Sequence, residues 1–266
     1  MKKMYLRELA LQALLINDPV EKSTQVKRLQ QVWGLPVGAE LVLHEPTEGI
    51  PGRPEKPVIV APQQVKQRSL HTNEGRAALL HALAHIEFNA INLALDIIWR
   101  YAHLPGSFYG DWLCVAYEEV THFELLNAHL HTLGFQYGDF PAHDGLWDMA
   151  ERTKDDLVAR LALVPRTLEA RGLDACPIVR AKLAQAGDNE AAAILDIILR
   201  DEVGHVALGN KWFRWLCEQQ QLDAIALYPT LAEDYRAPRL RGPFNIPARL
   251  AAGFYAEEID YLKSQA

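Results

Sequence analysis

Two E-x-x-H motifs are the residues of this chain that are best suited to chemistry. They are Glu119-Val-Thr-His122 and Glu202-Val-Gly-His205. Residues three apart in an α-helix lie on one face, about one turn apart, so a carboxylate oxygen and an imidazole nitrogen can bind the same metal ion. Each motif lies inside an apolar segment, where a buried glutamate and histidine without partners would be costly. The motifs therefore predict metal ligands.

A further glutamate precedes each motif on an earlier apolar segment, and the layout repeats. The separation in sequence from Glu87 to Glu169 nearly equals that from Glu119 to Glu202. A glutamate from each of two helices plus an E-x-x-H from each of two others is the ligand set of ferritin-like di-iron and di-manganese proteins. Glu169 fits this layout only if its helical path continues past Gly172. The pattern predicts two metal ions bound by Glu87, Glu119, His122, Glu169, Glu202 and His205.

Residues next to these ligands have two open interpretations. An acid precedes the glutamate of each motif, at Glu118 and Asp201. Metal-bound histidines usually donate their second N–H to a carboxylate, so Asp201 could orient His122 and Glu118 could orient His205. Alternatively, both acids are simply surface residues. His85 is two residues from Glu87 and so lies on another helix face, which predicts core packing or helix surface rather than a ligand.

The rest of the chain consists of segments rich in strong helix formers. One or two helices are predicted over 3–33, followed by a Pro- and Gly-rich extended segment over 34–70. Four long helices follow, at about 73–102, 107–133, 144–171 and 188–220, with short ones at 177–186 and 223–236. We expect Gly172 to end the third long helix and Pro165 to kink it or start it.

The predicted fold class is all-α. It is a ferritin-like four-helix bundle at 71–220, with an N-terminal helical extension at 1–70 and a C-terminal one at 221–266, in a single domain.

Composition excludes several classes of protein. The chain has 266 residues, 49% of them apolar, and a formal charge of −7. It has no apolar run of the roughly 18 residues that a membrane span needs, and Arg7 and Glu8 interrupt the apolar N-terminus. Three widely spaced cysteines, Cys114, Cys176 and Cys217, fit reduced thiols. We expect a cytoplasmic protein that does not span a membrane.

The sequence lacks a P-loop, G-x-G-x-x-G and G-x-S-x-G, so nucleotide-dependent and serine-hydrolase functions have no support.

Three segments, besides the paired E-x-x-H motifs, carry a family resemblance. They are H-I-E-F-N-A-I-N-L-A-L-D at 85–96, L-E-A-R-G-L-D at 168–174 and G-P-F-N-x-x-A-R at 242–249. Over about 5–262 the chain resembles a bacterial ferritin-like family that is catalogued as a domain of unknown function. The resemblance implies the ferritin-like fold and the same six ligands, but not a reaction. A more distant similarity is to the di-iron tRNA hydroxylase that oxidises a prenylated adenosine.

The leading functional hypothesis is an O₂-dependent di-iron oxidoreductase or hydroxylase with an unidentified small-molecule substrate. It would need an external electron donor, because the sequence shows no flavin or nicotinamide motif. The alternatives are a di-manganese enzyme that disproportionates peroxide, and a non-catalytic metal-binding or storage protein. The ligand types do not distinguish iron from manganese, and the sequence predicts neither the catalytic residues nor the oligomeric state.

Nucleic acid is a weaker hypothesis for a partner. Four arginines of the C-terminal tail could bind phosphate or RNA: Arg236, Arg239, Arg241 and Arg249. They could equally pin an irregular tail to acidic helix ends. Because the whole chain carries a charge of −7, it is not suited to non-specific attraction to nucleic acid. We therefore expect no binding of RNA.

Overall fold

The computed structural model describes residues 4–32, 34–47 and 49–265. Within these residues the regular elements are helical, apart from one isolated parallel bridge between Ile59 and Ala142, as the all-α class predicts. Residues 3 and 33, the ends of the predicted N-terminal helical segment, lie outside the described residues. The chain divides into two compact units, Met1–Asp144 and Gly145–Ala266, and the single domain stays a prediction.

The first unit contains a long helical hairpin and two shorter helices. They are α1 (Leu6–Leu14), α2 (Pro19–Gln31), α3 (Asn73–Arg100) and α4 (Gly106–Thr132). The Thr72 side chain accepts a hydrogen bond from the Gly75 backbone N–H, and Asp18 does the same for Glu21, so that α3 and α2 begin at capped positions. The loop from 101 to 105 is short, so α3 and α4 pack side by side in antiparallel directions.

Two buried basic side chains hold the extended segment against the helices of this unit. Arg7 on α1 is 1% exposed, and its guanidinium donates to the carbonyls of Leu41 and Trp99, both at 2.6 Å. Lys22 on α2 is 0% exposed and donates to the carbonyls of Leu14 and Gly52 at 3.1 and 3.0 Å and to the Asn92 side chain. These bonds supply donors to backbone carbonyls that an irregular buried segment would otherwise leave unsatisfied.

The second unit consists of shorter helices around one long one. They are α5 (Gly145–Arg152), α6 (Leu157–Leu163), a π-helical segment (Val164–Glu169), α7 (Ala170–Gln185), α8 (Asn189–Gln219), α9 (Ala224–Asp234), α10 (Ile246–Ala251) and α11 (Ala256–Gln265). Asp188 caps α8 by accepting from the Ala191 N–H at 3.0 Å, so the helix starts where the sequence predicts it. Leu173 of α7, Val206 of α8 and Phe254 belong to one buried apolar cluster, which fixes the C-terminal helices against the hairpin of α7 and α8.

The third predicted helix, 144–171, is interrupted at 153–156 between α5 and α6, and a π-helical segment begins beside Pro165. Gly172 does not end it: α7 runs on through Gly172 and Pro177, and the predicted separate helix at 177–186 is its last part. Pro177 has no N–H, so the carbonyl four residues earlier, that of Leu173, loses its helical donor. The Asn245 side-chain amide donates to that carbonyl at 3.1 Å. A residue distant in sequence thus replaces the missing bond, and the helix continues.

Helix α3 is long and apolar enough to cross a membrane by length and composition, but 72% of its most apolar stretch is buried inside the protein. That burial is typical of a core helix. A cytoplasmic location stays a prediction.

Candidate metal centre

The hairpin of α3 and α4 brings three of the predicted ligands together. Helix α3 ends at Arg100, and α4 begins at Gly106. Glu87 lies as many residues before the end of α3 as Glu119 lies after the start of α4. At a rise of about 1.5 Å per residue, both are about 20 Å from the connecting loop. His122 follows Glu119 by one helical turn. The equal distances place the three side chains at one level of the hairpin.

These three side chains are buried and within reach of a shared ion. Glu87 is 5% exposed, and Glu119 and His122 are each 0% exposed. The Nδ1 atom of His122 lies 3.2 Å from Oε2 of Glu87 and 3.4 Å from Oε2 of Glu119. When two donor atoms each lie about 2.1 Å from one metal ion and the donor–metal–donor angle is about 90–110°, the two donors are about 3.0–3.4 Å apart. One donor atom from each side chain lies within 4.8 Å of the others, so this donor set fits a divalent metal ion.

The electrostatics of the site also favour a cation. Burial by itself lowers the pKa of His122, but its hydrogen bonds to Glu119 and Glu87 and their negative charges raise it to about 11. The two buried carboxylates therefore hold a positive charge on the imidazole when no metal is bound. A divalent ion would replace that proton, because metal ligands must bind in their deprotonated forms.

The E-x-x-H part of this arrangement recurs on a hairpin of the second unit. Nδ1 of His205 lies 3.4 Å from Oε1 of Glu202, and His205 is 1% exposed. Glu202 is as far from the first residue of α8 as Glu119 is from the first residue of α4. Glu169 ends the π-helical segment and directly precedes α7, which runs to Gln185. Since α7 is continuous, Glu169 and Glu202 lie at comparable distances from their loop, as the repeated layout requires.

The two acids next to the motifs are half-buried. Within its own unit Asp201 accepts hydrogen bonds from the guanidinium of Arg200 at 2.7 and 3.0 Å. The orienting contacts, from Asp201 to His122 and from Glu118 to His205, stay predictions.

His85 is a core residue, as its helix face predicts. Its Nδ1 is 2.8 Å from the Tyr137 hydroxyl and its Nε2 is 3.0 Å from the Asn89 amide. Burial lowers the pKa of His85 to about 3, so the ring stays neutral. Tyr137, which no sequence motif indicates, packs against Phe88 and Phe123, the neighbours of Glu87 and His122. Its signal in the sequence is its place among aromatic residues in the loop after α4.

One family of known proteins matches most of the chain. This family, described as "Protein of unknown function (DUF455)", matches residues 15–260. The chain belongs to the DUF455 family. It is 52% identical over 224 residues to an uncharacterized protein of Haemophilus influenzae, a match that covers 82% of this chain and 78% of that protein. No solved structure matches the chain.

Two of the segments that carried the family resemblance bind each other in this DUF455 protein. Asp174, at the end of 168–174, accepts two hydrogen bonds from the guanidinium of Arg249, at 3.0 and 2.6 Å. It also accepts one from the Asn245 backbone N–H at 2.8 Å. The tail segment 242–249 is therefore fixed to α7 close to Glu169, and Arg249, which is 0% exposed, has a structural partner.

Proposed function

We propose that this DUF455 protein is a dinuclear metal–carboxylate enzyme of ferritin-like fold, which uses iron and O₂ to oxidise a small-molecule substrate. The observation that carries the proposal is the buried group of Glu87, Glu119 and His122, with His122 at 3.2 and 3.4 Å from the two carboxylates. Burying two carboxylates beside one imidazole in an apolar core is costly without a cation. A metal ion is the partner that this donor set suits.

The repeated hairpin supports a second metal position. Glu169, Glu202 and His205 offer the same donor types in the same order, on helices of matching register. Four carboxylates and two imidazoles are the ligand set of the ferritin-like metal–carboxylate proteins. We therefore propose that all six residues bind metal. The proposed four-helix bundle would consist of α3, α4, the helical path from α6 to α7, and α8.

The residues of the chain would bind the metals and exclude water. Bound iron would supply the activation of O₂, and the protein would leave coordination positions open to it. Around Glu87 and His122, the rings of Phe88 and Phe123 are each 2% exposed and lie 5.4 Å apart. Such apolar surroundings keep solvent from competing for the metal and control its redox properties. Carboxylates and imidazoles bind both iron and manganese, so the metal is decided by experiment.

The test is metal loading followed by exposure to oxidants. Protein reconstituted anaerobically with Fe²⁺ should contain about two ions per chain and, on mixing with O₂, should change its optical spectrum within seconds in a stopped-flow experiment. Manganese-loaded protein, assayed beside it for peroxide consumption, tests the di-manganese alternative. If the iron form stays ferrous in air for hours and the manganese form leaves peroxide intact, the site is a non-catalytic one.

We further propose that the substrate is a small molecule rather than RNA, with an external protein or small molecule as electron donor. Of the four tail arginines, Arg249 is buried against Asp174, and Nε of Arg239 donates to the Gln265 carbonyl at 2.6 Å. These contacts support the interpretation that the tail arginines are structural. RNA binding at moderate salt that is lost in an Arg236→Ala, Arg241→Ala double variant would instead favour the similarity to the tRNA hydroxylase.

A further inference from the structure

The second unit contains a cavity that the proposed metal chemistry does not use. Its volume is about 60 Å³, enough for about four or five water-sized groups. Most of its wall is apolar or aromatic, and three charged side chains complete it: Arg166, Arg249 and Glu258. The apolar and aromatic residues of the wall are Ile225, Tyr228, Leu240, Phe254, Tyr261 and Leu262.

Arg166 supplies a buried cation to this cavity. It is 3% exposed, its Nε donates to Asn210 at 2.5 Å, and its Nη2 donates to Glu258. Its Nη1 is buried and has no hydrogen-bond partner among residues 4–32, 34–47 and 49–265. The guanidinium also lies 5.3 Å from the centre of the Phe254 ring, so it is fixed between an ion pair and an aromatic wall.

Arg249 is held in a similar way by a different carboxylate. Its Nε and Nη2 bind Asp174, while its Nη1 is buried and without a hydrogen-bond partner in the described part of the chain. The guanidinium lies 5.2 Å from the Phe254 ring centre. One phenylalanine therefore lies beside both arginines of the cavity, and each arginine keeps one N–H₂ group for a ligand.

The charges of this cluster do not cancel. Glu258 binds both Arg166 and Arg214, the latter at 2.9 Å, and Asp174 binds Arg249 at 2.6 Å. Three arginines thus face two carboxylates, although the third, Arg214, has a side chain that is 20% exposed and lies outside the cavity wall. Burial also lowers the pKa of Arg166, and the charge of Glu258 opposes this shift. A single negative charge would complete the cluster.

We propose that this cavity binds a small organic carboxylate, whose oxygens accept from Nη1 of Arg166 beside Arg249 and whose short alkyl tail packs on Phe254 and the apolar wall. The guanidinium fork matches a carboxylate in geometry and charge. The apolar wall favours an organic acid over phosphate, because phosphate carries more charge than the cluster lacks and has no apolar part to bury.

The probe is propionate, with propionamide as its neutral isostere, in ligand-observed NMR titrations of the full chain. We expect propionate to bind at least tenfold more tightly than propionamide, since only the anion compensates the arginines. Equal binding of the two would reduce the cavity to an apolar pocket, and inorganic phosphate binding more tightly than propionate would overturn the assignment to a carboxylate. Absence of binding to either organic probe would overturn the proposal.

Three variants locate the binding. Arg166→Gln should weaken propionate binding at least tenfold, but it also removes an ion pair and needs a check by circular dichroism. Ile225→Trp fills the cavity from a residue that is 40% exposed, so the fold should tolerate it, whereas Ile178→Trp changes a residue that is 41% exposed and outside the cavity. Ile225→Trp should abolish binding and Ile178→Trp should not. If neither Trp substitution changes the binding of propionate, the anion binds elsewhere, for example at a metal ion, and the proposal is contradicted.

Discussion

His122 and His85 differ in what surrounds their ring nitrogens, and this difference predicts which of them binds metal. His122 faces two buried carboxylates, while His85 is bonded through both nitrogens to Tyr137 and Asn89. His122→Ala should remove at least one metal ion per chain, and Glu119→Ala should do the same. His85→Ala should keep full metal content, although it opens a core position. Elemental analysis of equally reconstituted variants measures this.

The opposite result, metal lost from His85→Ala and retained in His122→Ala, would mean that the ligands lie on another face of these helices. Circular dichroism of each variant separates ligand loss from unfolding.

Lys22 predicts a dependence of stability on pH. Burial lowers its pKa from the ordinary 10.5 to about 7, with a smaller contribution from the charge of Arg53. Between about pH 7 and 10.5 the unfolded chain therefore holds a proton on Lys22 that the folded chain loses. Since stability rises with pH wherever the unfolded state binds more protons, this group raises the free energy of unfolding by up to about 1.4 kcal/mol per pH unit in that window. Below about pH 7 Lys22 is protonated in both the folded and the unfolded state, and burial of its charge then lowers the free energy of unfolding by the largest amount.

Urea denaturation at pH 7.5 and 9.5 checks the sign. The rise should disappear in Lys22→Met and persist in Lys27→Met, because Lys27 is exposed and paired with Glu124 at the surface. Other titrating groups are common to all three proteins, so the same rise in Lys22→Met as in the wild type would assign the effect to them instead.

At the scale of elements, α7 depends on a residue from the tail. The Asn245 amide donates to the Leu173 carbonyl that Pro177 leaves without a helical donor. Asn245→Ala should cost about 1–2 kcal/mol of stability. In a Pro177→Ala background the residue at 177 again has an N–H for that carbonyl, so the same change should cost about 1 kcal/mol less. A double-mutant cycle in urea measures the coupling.

The cap that Asn245 makes at α10, by accepting from the Ala248 N–H at 3.3 Å, is lost equally in both backgrounds and cancels in the cycle. Two strictly additive substitutions would show that the contact with Leu173 carries no free energy.

Local signals made most of the helices predictable. Asp188 and Thr72 cap α8 and α3, and long runs of helix formers fill the elements between. The grouping of Glu87, Glu119 and His122 was predictable because helical spacing and a short loop determine their level. The continuity of α7 was not predictable, because the donor that replaces the missing helical bond, the Asn245 amide, lies far along the chain. The π-helical segment at Val164–Glu169 has no local cue beyond Pro165, and the pair of Asp174 and Arg249 joins two segments that spacing does not connect.

At the scale of the whole molecule, metal should stabilise the fold without creating it. An ion that binds only the folded state, at a free concentration about 100 times its dissociation constant, adds about 2.7 kcal/mol. For a chain of this size that is a rise of about 5–10 °C in melting temperature. Far-UV circular dichroism of metal-free protein should stay helical, because buried apolar residues such as Leu80, Ile91 and Phe213 pack independently of any ion.

Differential scanning calorimetry of chelator-treated and reconstituted protein measures the rise in melting temperature. Equal melting temperatures at saturating metal would place the ions at the surface rather than at Glu119 and His122, which are fully buried.

The bond between Asn245 and the Leu173 carbonyl has a consequence for how this family changes over time. The proline at 177 is tolerated because an amide far along the chain serves the carbonyl that it leaves open. If Asn245 is replaced first, the Leu173 carbonyl loses its donor and α7 is weakened close to Glu169. If Pro177 is replaced first, the helix supplies its own donor and Asn245 is no longer needed for this bond. The order of two substitutions thus determines which is accepted, and the two positions are expected to vary together among relatives.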